Sequence, residues 1–159
     1  MSPRPPILQL KKTLQNSVET NEKTDSHWRI RPFEGRHDVD AWLAIQNAAF
    51  QRQRPIPWTV AQFRRELADR PWWCAERLWF AVPASGPPVG SLALELNEDH
   101  GRLHWLAVLG SAQRRGAARC LVRVAERHCL QHGVFVLKAE TANGSDAEHF
   151  YRRLGFKIE

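Results

Sequence analysis

A basic loop lies between an apolar run and a helical pattern at residues 106–118, which read LAVLGSAQRRGAA. The first amide groups of a helix have no internal hydrogen-bond partner and stand at the positive end of the helix dipole, so a helix that begins with small residues can admit a phosphate to its backbone. Polar side chains before the helix would add donors. An ordinary turn with a solvated basic face is the alternative. The residues of this predicted anion site are Gln113, Arg114, Arg115, Gly116, Ala117 and Ala118.

The hydrophobic pattern places this loop between a strand and a long helix. Apolar residues recur at helical spacing after the loop, which predicts a helix from near Gly116 to Gly133. Before the loop, strand-like runs at 78–82, 89–96 and 102–109 are separated by turn clusters, which predicts an antiparallel meander. The loop therefore connects the last strand of the meander to the helix.

Further predicted elements flank this unit. On the N-terminal side they are a strand at 28–32, a helix at 37–50 and a short helix that starts at the Thr59–Gln62 capping box. On the C-terminal side they are a strand at 134–139, a helix from Ser145 to Leu154 and a strand from Phe156. The order β-α-α-β-β-β-α-β-α-β predicts an α/β fold of the mixed α+β kind, with helices on both faces of a mixed sheet.

Length and composition predict one domain and exclude several classes of protein. The chain has 159 residues and a mean hydropathy of −0.49, and no apolar run approaches the ~18 residues of a membrane-spanning helix. The start also lacks the apolar stretch of a secretory signal. Cys74, Cys120 and Cys129 show neither disulfide nor metal-site spacing, so we expect no metal and a reducing, cytoplasmic location.

The charge of the chain favours an anionic partner. The formal net charge is +6 and the sequence pI is about 9.8, values that suit a phosphate-bearing small molecule, a nucleic acid or an acidic membrane. Between Arg102 and Leu130, six arginines stand against one acid, Glu126. This local surplus coincides with the predicted anion site.

The first 26 residues differ in composition from the remainder. They mix Pro, Lys, Asn, Ser and Thr with few large apolar side chains, which is typical of a segment that cannot offset its own ordering entropy. We expect a mobile arm at 1–26 and a single domain at 27–159. The alternative is that Ile7, Leu8 and Leu10 dock as a short strand on a neighbouring element.

Two segments resemble motifs of the GCN5-related N-acetyltransferase (GNAT) superfamily. Gln113, Gly116 and Ala118 meet its acyl-CoA-binding signature Gln/Arg-x-x-Gly-x-Gly/Ala. Residues 147–156, AEHFYRRLGF, are similar to its Ala-x-x-Phe-Tyr-x-x-Leu-Gly-Phe ending, and Asn143 stands near the family's cofactor-contacting asparagine. The resemblance covers 29–159 and implies acetyl-CoA as co-substrate, direct transfer to a primary amine in a ternary complex, and a mostly antiparallel sheet of about six or seven strands.

The resemblance also implies roles for particular residues. Leu106, Ala107 and Val108 match the strand segment whose backbone pairs with the pantetheine arm. Tyr151, the chain's one tyrosine, matches the general acid that protonates the departing thiolate, and a phenol with an ordinary pKa of ~10 is protonated at neutral pH. The alternative for Tyr151 is a packed aromatic with a hydrogen-bonded hydroxyl.

His104 is the candidate general base. A strand period of two places His104, Leu106 and Val108 on one face, beside the expected acyl group. The strand also resembles that of the serotonin N-acetyltransferases, which have His-x-His where this chain has Arg102-x-His104. A buried structural histidine is the alternative role. Glu95 and Glu140, at strand ends near the expected acceptor cleft, are alternative bases.

The stretch from residue 51 to 77 should determine the acceptor. It contains Trp58, Trp72 and Trp73 together with prolines and arginines, and an aromatic wall of this kind could hold a flat or cationic amine. Packing of the same rings in the core is the alternative.

Two functions of other classes stay open at this point. One is a non-catalytic acyl-CoA sensor that binds the cofactor without turnover, and the other is a basic nucleic-acid-binding module. The chain also has only Phe156 to Glu159 after the last helix, where the family usually adds a further strand. Either the sheet is a strand short, or the N-terminal arm or a second subunit fills the edge, which would allow a homodimer.

Overall fold

One mixed sheet runs through the computed structural model, which describes residues 3–16 and 27–159. Its strands there are β1 (Ile7–Thr13), β2 (Arg29–Pro32), β3 (Leu78–Val82), β4 (Gly90–Leu96), β5 (Gly101–Val108), β6 (Val136–Ala142) and β7 (Lys157–Ile158). The α-helices are α1 (Arg36–Ala49), α2 (Val60–Phe63), α3 (Ala117–Gln131) and α4 (Asp146–Arg153). The strand order is β2-β3-β4-β5-β6-β1-β7, and every neighbouring pair is antiparallel except β5 and β6. The mixed, mostly antiparallel fold expected from the sequence is confirmed.

The helices cover both faces of the sheet. On one face, α3 buries Leu121, Val122 and Ala125. On the opposite face, α1 and α2 bury Trp42 and Phe63 in a second apolar cluster. Each helix carries its apolar residues as a stripe at helical spacing, so one side of each helix packs on the sheet. We call these two sides of the sheet the α3 face and the α1 face.

Helix starts follow the signals in the sequence. Gly116 is the N-cap of α3. The Ser145 hydroxyl accepts a hydrogen bond of 3.1 Å from the Glu148 backbone N–H at the start of α4, and the Gln62 side chain accepts one of 2.7 Å from the Thr59 N–H at the start of α2. None of the helices in the described ranges has the length and apolarity that a bilayer crossing requires.

The expectation of a mobile arm was wrong for β1. This strand lies between β6 and β7, where Leu10 pairs with Ala139 on one side and with Ile158 on the other. Leu10 is 1% exposed, and the Lys12 ammonium lies 2.8 Å from the Glu126 carboxylate of α3. Alternating apolar and polar residues outweigh the polar composition of the segment, because one side of the strand faces the core.

The position of β1 also answers how the sheet edge is filled. The chain's own N-terminal segment occupies the place beside β6, so the open edge on which a homodimer was argued is covered within one chain. The remainder of the expected arm, residues 1–2 and 17–26, lies outside the described residues.

The parallel strands β5 and β6 pair only at one end. Their register joins Gly101 to Leu137 and Arg102 to Lys138, and no ladder pair follows. β6 begins at Val136 rather than Val134 and continues to Ala142. Beyond Arg102 the two strands therefore leave a cleft, which opens toward the loop before α3.

Candidate active site

The loop before α3 combines a backbone shape and a position that suit an anion. Gly116 has φ 89° and Arg114 has φ 63°, both in the left-handed region. The Gln113 side-chain amide donates to the Val108 carbonyl at 3.1 Å, and the Trp28 indole donates to the Arg115 carbonyl at 2.8 Å. The loop is thereby fixed to β5 on one side and to the start of β2 on the other, while the first turn of α3 contains no acidic residue. The amides of that first turn are available to an anion.

A bulge in β5 changes which side chains share a face. Ala93 pairs with His104 and Ser91 with Ala107, so β5 has one more residue than β4 between these two points. The extra residue accompanies Trp105, whose φ is 58°. An inserted residue reverses the alternation of side chains beyond it.

The expectation that His104 lies on the same face as Leu106 and Val108 was therefore wrong. Leu106 and Val108 pack on the α3 face. His104 instead lies on the α1 face, where its ring stacks on Trp72 with centroids 4.7 Å apart and an angle of 9° between the planes.

Glu95 holds the other side of the His104 ring. The His104 Nε2 atom lies 3.0 Å from the Glu95 carboxylate, and the Asn97 amide donates to the second carboxylate oxygen at 3.0 Å. Burial by itself raises the pKa of Glu95, but the hydrogen bonds of Asn97 and His104 outweigh burial and lower this pKa below its ordinary value. Because an ionised carboxylate only accepts hydrogen bonds, Nε2 is the donor, which leaves the lone pair on Nδ1.

The three tryptophans predicted to line the acceptor site occupy different places. Trp72 contacts His104, as described above, and Trp58 packs edge-on against Trp105 with centroids 4.8 Å apart. Trp73 packs against Phe33 and Phe63, at 5.6 and 5.9 Å, and belongs to the apolar cluster under α2. The structure thus brings Trp58 and Trp72 to the α1 face of β5, whereas the half-buried Trp73 packs against Phe33 and Phe63.

Tyr151 lies in α4 on the opposite side of the sheet from His104. Its ring is 5% exposed and packs between Phe150 and Phe156, with centroids 5.4 and 5.2 Å away. Burial raises the pKa of the Tyr151 phenol above its ordinary value. The phenol is therefore protonated throughout the neutral range.

Glu140 and Asn143 stand at the far side of the cleft. The exposed Glu140 carboxylate accepts hydrogen bonds from Gln9 at 3.1 Å and Arg102 at 3.3 Å, whereas Glu95 is the carboxylate that contacts His104. Asn143 follows β6, where its side chain is exposed and its backbone N–H donates to the Pro6 carbonyl at 2.9 Å. Within residues 3–16 and 27–159, no group of three or more His, Cys, Asp or Glu side chains could hold a metal ion.

Comparison with known proteins agrees with this geometry. The family model described as "Acetyltransferase (GNAT) family" matches residues 39–156. The chain belongs to the GNAT family.

Similar proteins extend this assignment. Over 137 residues the GNAT chain is 29% identical to a mycothiol acetyltransferase from Pseudarthrobacter chlorophenolicus, a match that covers 80% of the chain and 42% of the relative. A mycothiol acetyltransferase from Thermomonospora curvata is 28% identical, with 94% and 51% covered. The crystal structure of a GCN5-related N-acetyltransferase from Sphaerobacter thermophilus superposes with a TM-score of 0.79 at 20% identity, and covers 99% of this chain and 50% of that one. The chain spans about half the length of the curated relatives that it matches.

Sequence reasoning missed one residue of this GNAT site, Gln46. It lies on the buried side of α1, is fully buried, and its side-chain amide donates to the Trp105 carbonyl at 3.2 Å. Its Oε1 atom is buried and has no hydrogen-bond partner among the described residues. Through this hydrogen bond, Gln46 joins α1 to the bulge of β5. Its signal in the sequence is a polar side chain one helical turn after Trp42, on the apolar stripe of α1.

Proposed function

We propose that this chain is an acetyl-CoA-dependent N-acetyltransferase that transfers the acetyl group directly to a primary amine within a ternary complex. The observation that carries the proposal is that two features of β5 lie next to each other: its separation from β6, and its connection to the start of α3. β5 separates from β6 beyond Arg102, and the same strand then leads into a left-handed glycine at the start of α3. A cofactor with an extended arm and a pyrophosphate needs these two features side by side.

The residues present fit acetyl-CoA. The first amides of α3 and the loop 113–116 suit the pyrophosphate, with Arg114 and Arg115 exposed beside it. The backbone of Leu106, Ala107 and Val108 faces the cleft between β5 and β6 and would pair with the amides of the pantetheine arm. Asn143, at the end of β6, borders the same cleft.

Acetyl-CoA supplies a thioester whose acyl carbon accepts the amine. As the new C–N bond forms, His104, or a water that it positions, accepts a proton from the amine nitrogen at Nδ1. Glu95 stabilises the resulting imidazolium through Nε2. As the C–S bond breaks, Tyr151 donates its phenolic proton to the sulfur. His104 on the α1 face and Tyr151 on the α3 face would act from opposite sides of the cleft.

The acceptor is proposed to be a small amine. The mycothiol acetyltransferases among the relatives favour a small molecule, and a protein N-terminus or a lysine side chain is the alternative. Trp72 and Trp58 on the α1 face would border the acceptor, on the side where His104 presents its ring.

Two experiments test the proposal. The purified chain is titrated calorimetrically with acetyl-CoA and with CoA, and CoA release is then assayed over a broad panel of amines. We expect micromolar binding of both ligands and turnover of at least one amine. Binding without turnover of any amine would favour an acyl-CoA sensor. Absence of binding, with steeply salt-dependent affinity for DNA or RNA, would favour a nucleic-acid-binding module.

A further inference from the structure

Arg54 lies on an aromatic platform beside the bulge of β5. Its guanidinium carbon is 3.7 Å from the centre of the Trp58 ring, 4.8 Å from that of Phe50 and 5.8 Å from that of Trp105. The backbone fixes this position, because the Arg54 N–H donates to the Phe50 carbonyl at 2.9 Å, just after α1 ends. Trp58 and Trp105 pack on the α1 face, as does Trp72 against His104, so Arg54 belongs to the face where the acceptor amine would meet its base.

The Arg54 guanidinium has no anionic partner within the described part of the chain. Its Nη1 atom is buried without a hydrogen bond. Burial lowers the pKa of Arg54, and no carboxylate counteracts that effect. Glu66, an acid of the same stretch, pairs with Arg65 and Arg70 instead.

Another arginine of the same chain shows the contrast. Arg31 also lies over an aromatic ring, 5.3 Å from the centre of Phe80. There, two hydrogen bonds of 2.8 and 2.9 Å join the guanidinium to the Asp38 carboxylate. Arg54 is half-buried and has no such partner among the residues that the structure describes, and a bidentate carboxylate is the group that matches the planar donors of a guanidinium.

The same geometry argues against a polycationic acceptor. Arg54 covers the face of Trp58, and His104 covers the face of Trp72. The chain's own groups thus occupy one face of each of these two rings, where an ammonium group could otherwise bind. Residues 51–77 contain six arginines and three acids, which adds a positive field at this entrance.

We propose that Arg54 is the receptor for a carboxylate of the acceptor, so that the substrate is an amine that also carries a carboxylate, such as an amino acid or a short peptide with a free C-terminus. This inference rests on the proposed function and names the substrate class of the same site. Arg54 is a specificity residue in this scheme, because it holds the acceptor at its charged end while His104 receives the proton at the amine.

Matched substrates and variants test the inference. Common amino acids and dipeptides are assayed beside their C-terminal carboxamides, with wild type, Arg54→Gln, Arg54→Lys and the control Arg52→Gln. Arg52 is exposed, two residues before Arg54 in the same loop. In wild type and Arg52→Gln, we expect kcat/KM to be about 10- to 100-fold higher for the best carboxylate than for its carboxamide, which is the range for hydrogen bonds to charged groups. Arg54→Gln should abolish this preference through KM, and Arg54→Lys should retain part of it.

Binding measurements make each outcome decisive. Acetyl-CoA affinity should be the same in all four proteins, which shows that the variants are folded and that the cofactor site is separate. If no amine turns over, the melting temperature of the CoA complex is measured with each carboxylate and with its carboxamide. A rise in melting temperature that only the carboxylates cause, and that Arg54→Gln lacks, supports the inference. Equal use of carboxamides, or a preference that persists in Arg54→Gln, would overturn the inference alone. Loss of acetyl-CoA binding by wild type would overturn the proposed function as well.

Discussion

The His104 imidazole lies flat against the Trp72 indole while its Nε2 atom contacts the Glu95 carboxylate at 3.0 Å. The stacked indole fixes the plane of the imidazole, and the carboxylate fixes its rotation and its tautomer. Of the two ring nitrogens, Nδ1 is the one that keeps a lone pair. A strand-borne histidine that stacking alone constrained could present either nitrogen, so Glu95 decides which atom is free for the proposed role of base.

His104 and Glu95 should therefore differ in how much activity their loss removes. We expect His104→Asn to lower kcat by about 10²- to 10⁴-fold, because proton acceptance is lost. Glu95→Gln should lower kcat by at least about tenfold, since an amide can bind either tautomer. Steady-state kinetics would measure both, with Glu98→Gln, an exposed carboxylate in the turn after β4, as control. Equal kcat in Glu95→Gln and wild type would refute the positioning role.

Tyr151 leads to a prediction about alkaline pH. Its burial raises the pKa of the phenol, so the acid form persists at a higher pH than for an exposed tyrosine, whose pKa is ~10. We expect kcat to show no loss from tyrosine ionisation up to about pH 10. Tyr151→Phe should lower kcat by about 10²- to 10⁴-fold and leave acetyl-CoA affinity nearly unchanged. A variant with wild-type kcat would remove Tyr151 from the mechanism.

The two ends of α3 offer a matched pair of glycines. Gly116 has φ 89° at the N-cap, and Gly133 has φ 71° just beyond the C-terminus. Replacing either by alanine forces a side chain into the left-handed region, at a cost of about 1–2 kcal/mol in the free energy of unfolding. Only Gly116→Ala should also raise the Kd for CoA, by about tenfold, because its backbone lies at the proposed anion site. Calorimetry and urea unfolding separate the two effects. A similar loss of affinity in Gly133→Ala would show that strain, and not the anion site, controls binding.

β1 should contribute to stability through its buried side. Leu10 is 1% exposed, whereas Ile7, on the same strand, is 61% exposed. We expect Leu10→Ala to lower the free energy of unfolding by about 2–5 kcal/mol, and Ile7→Ala to change it by less than about 0.5 kcal/mol. Urea unfolding followed by tryptophan fluorescence measures both. If Leu10→Ala unfolded at the wild-type urea concentration, β1 would not be part of the cooperative core.

The sequence predicted the elements from β2 onward and the loop before α3 because those features depend on local spacing. The stripe of α3, the capping residues Thr59 and Ser145, and the run from Gln113 to Ala118 are each readable within a few turns of chain. The bulge at Trp105 was not readable, since one inserted residue in an apolar run leaves the composition unchanged but turns His104 to the other face.

Contacts between distant segments could not be predicted from the sequence, for a different reason. A short strand at Ile7, Leu8 and Leu10 was only the alternative to a mobile arm, because its partners lie in β6 and β7, far along the chain. The isolation of Arg54 depends on where carboxylates of other segments finally lie, and no spacing rule reports that. The sequence alone thus did not predict which distant segments pair, nor the surroundings that this pairing gives to side chains such as Arg54.

The placement of β1 has a consequence for the order of folding during synthesis. Leu10 pairs with Ala139, roughly 130 residues later, so β1 is synthesised well before the strand with which it pairs. Until β6 follows, the apolar side of β1 has no partner strand. The meander β3-β4-β5 can assemble early from local hairpins, whereas closure of the sheet through β1 is the slow, non-local step.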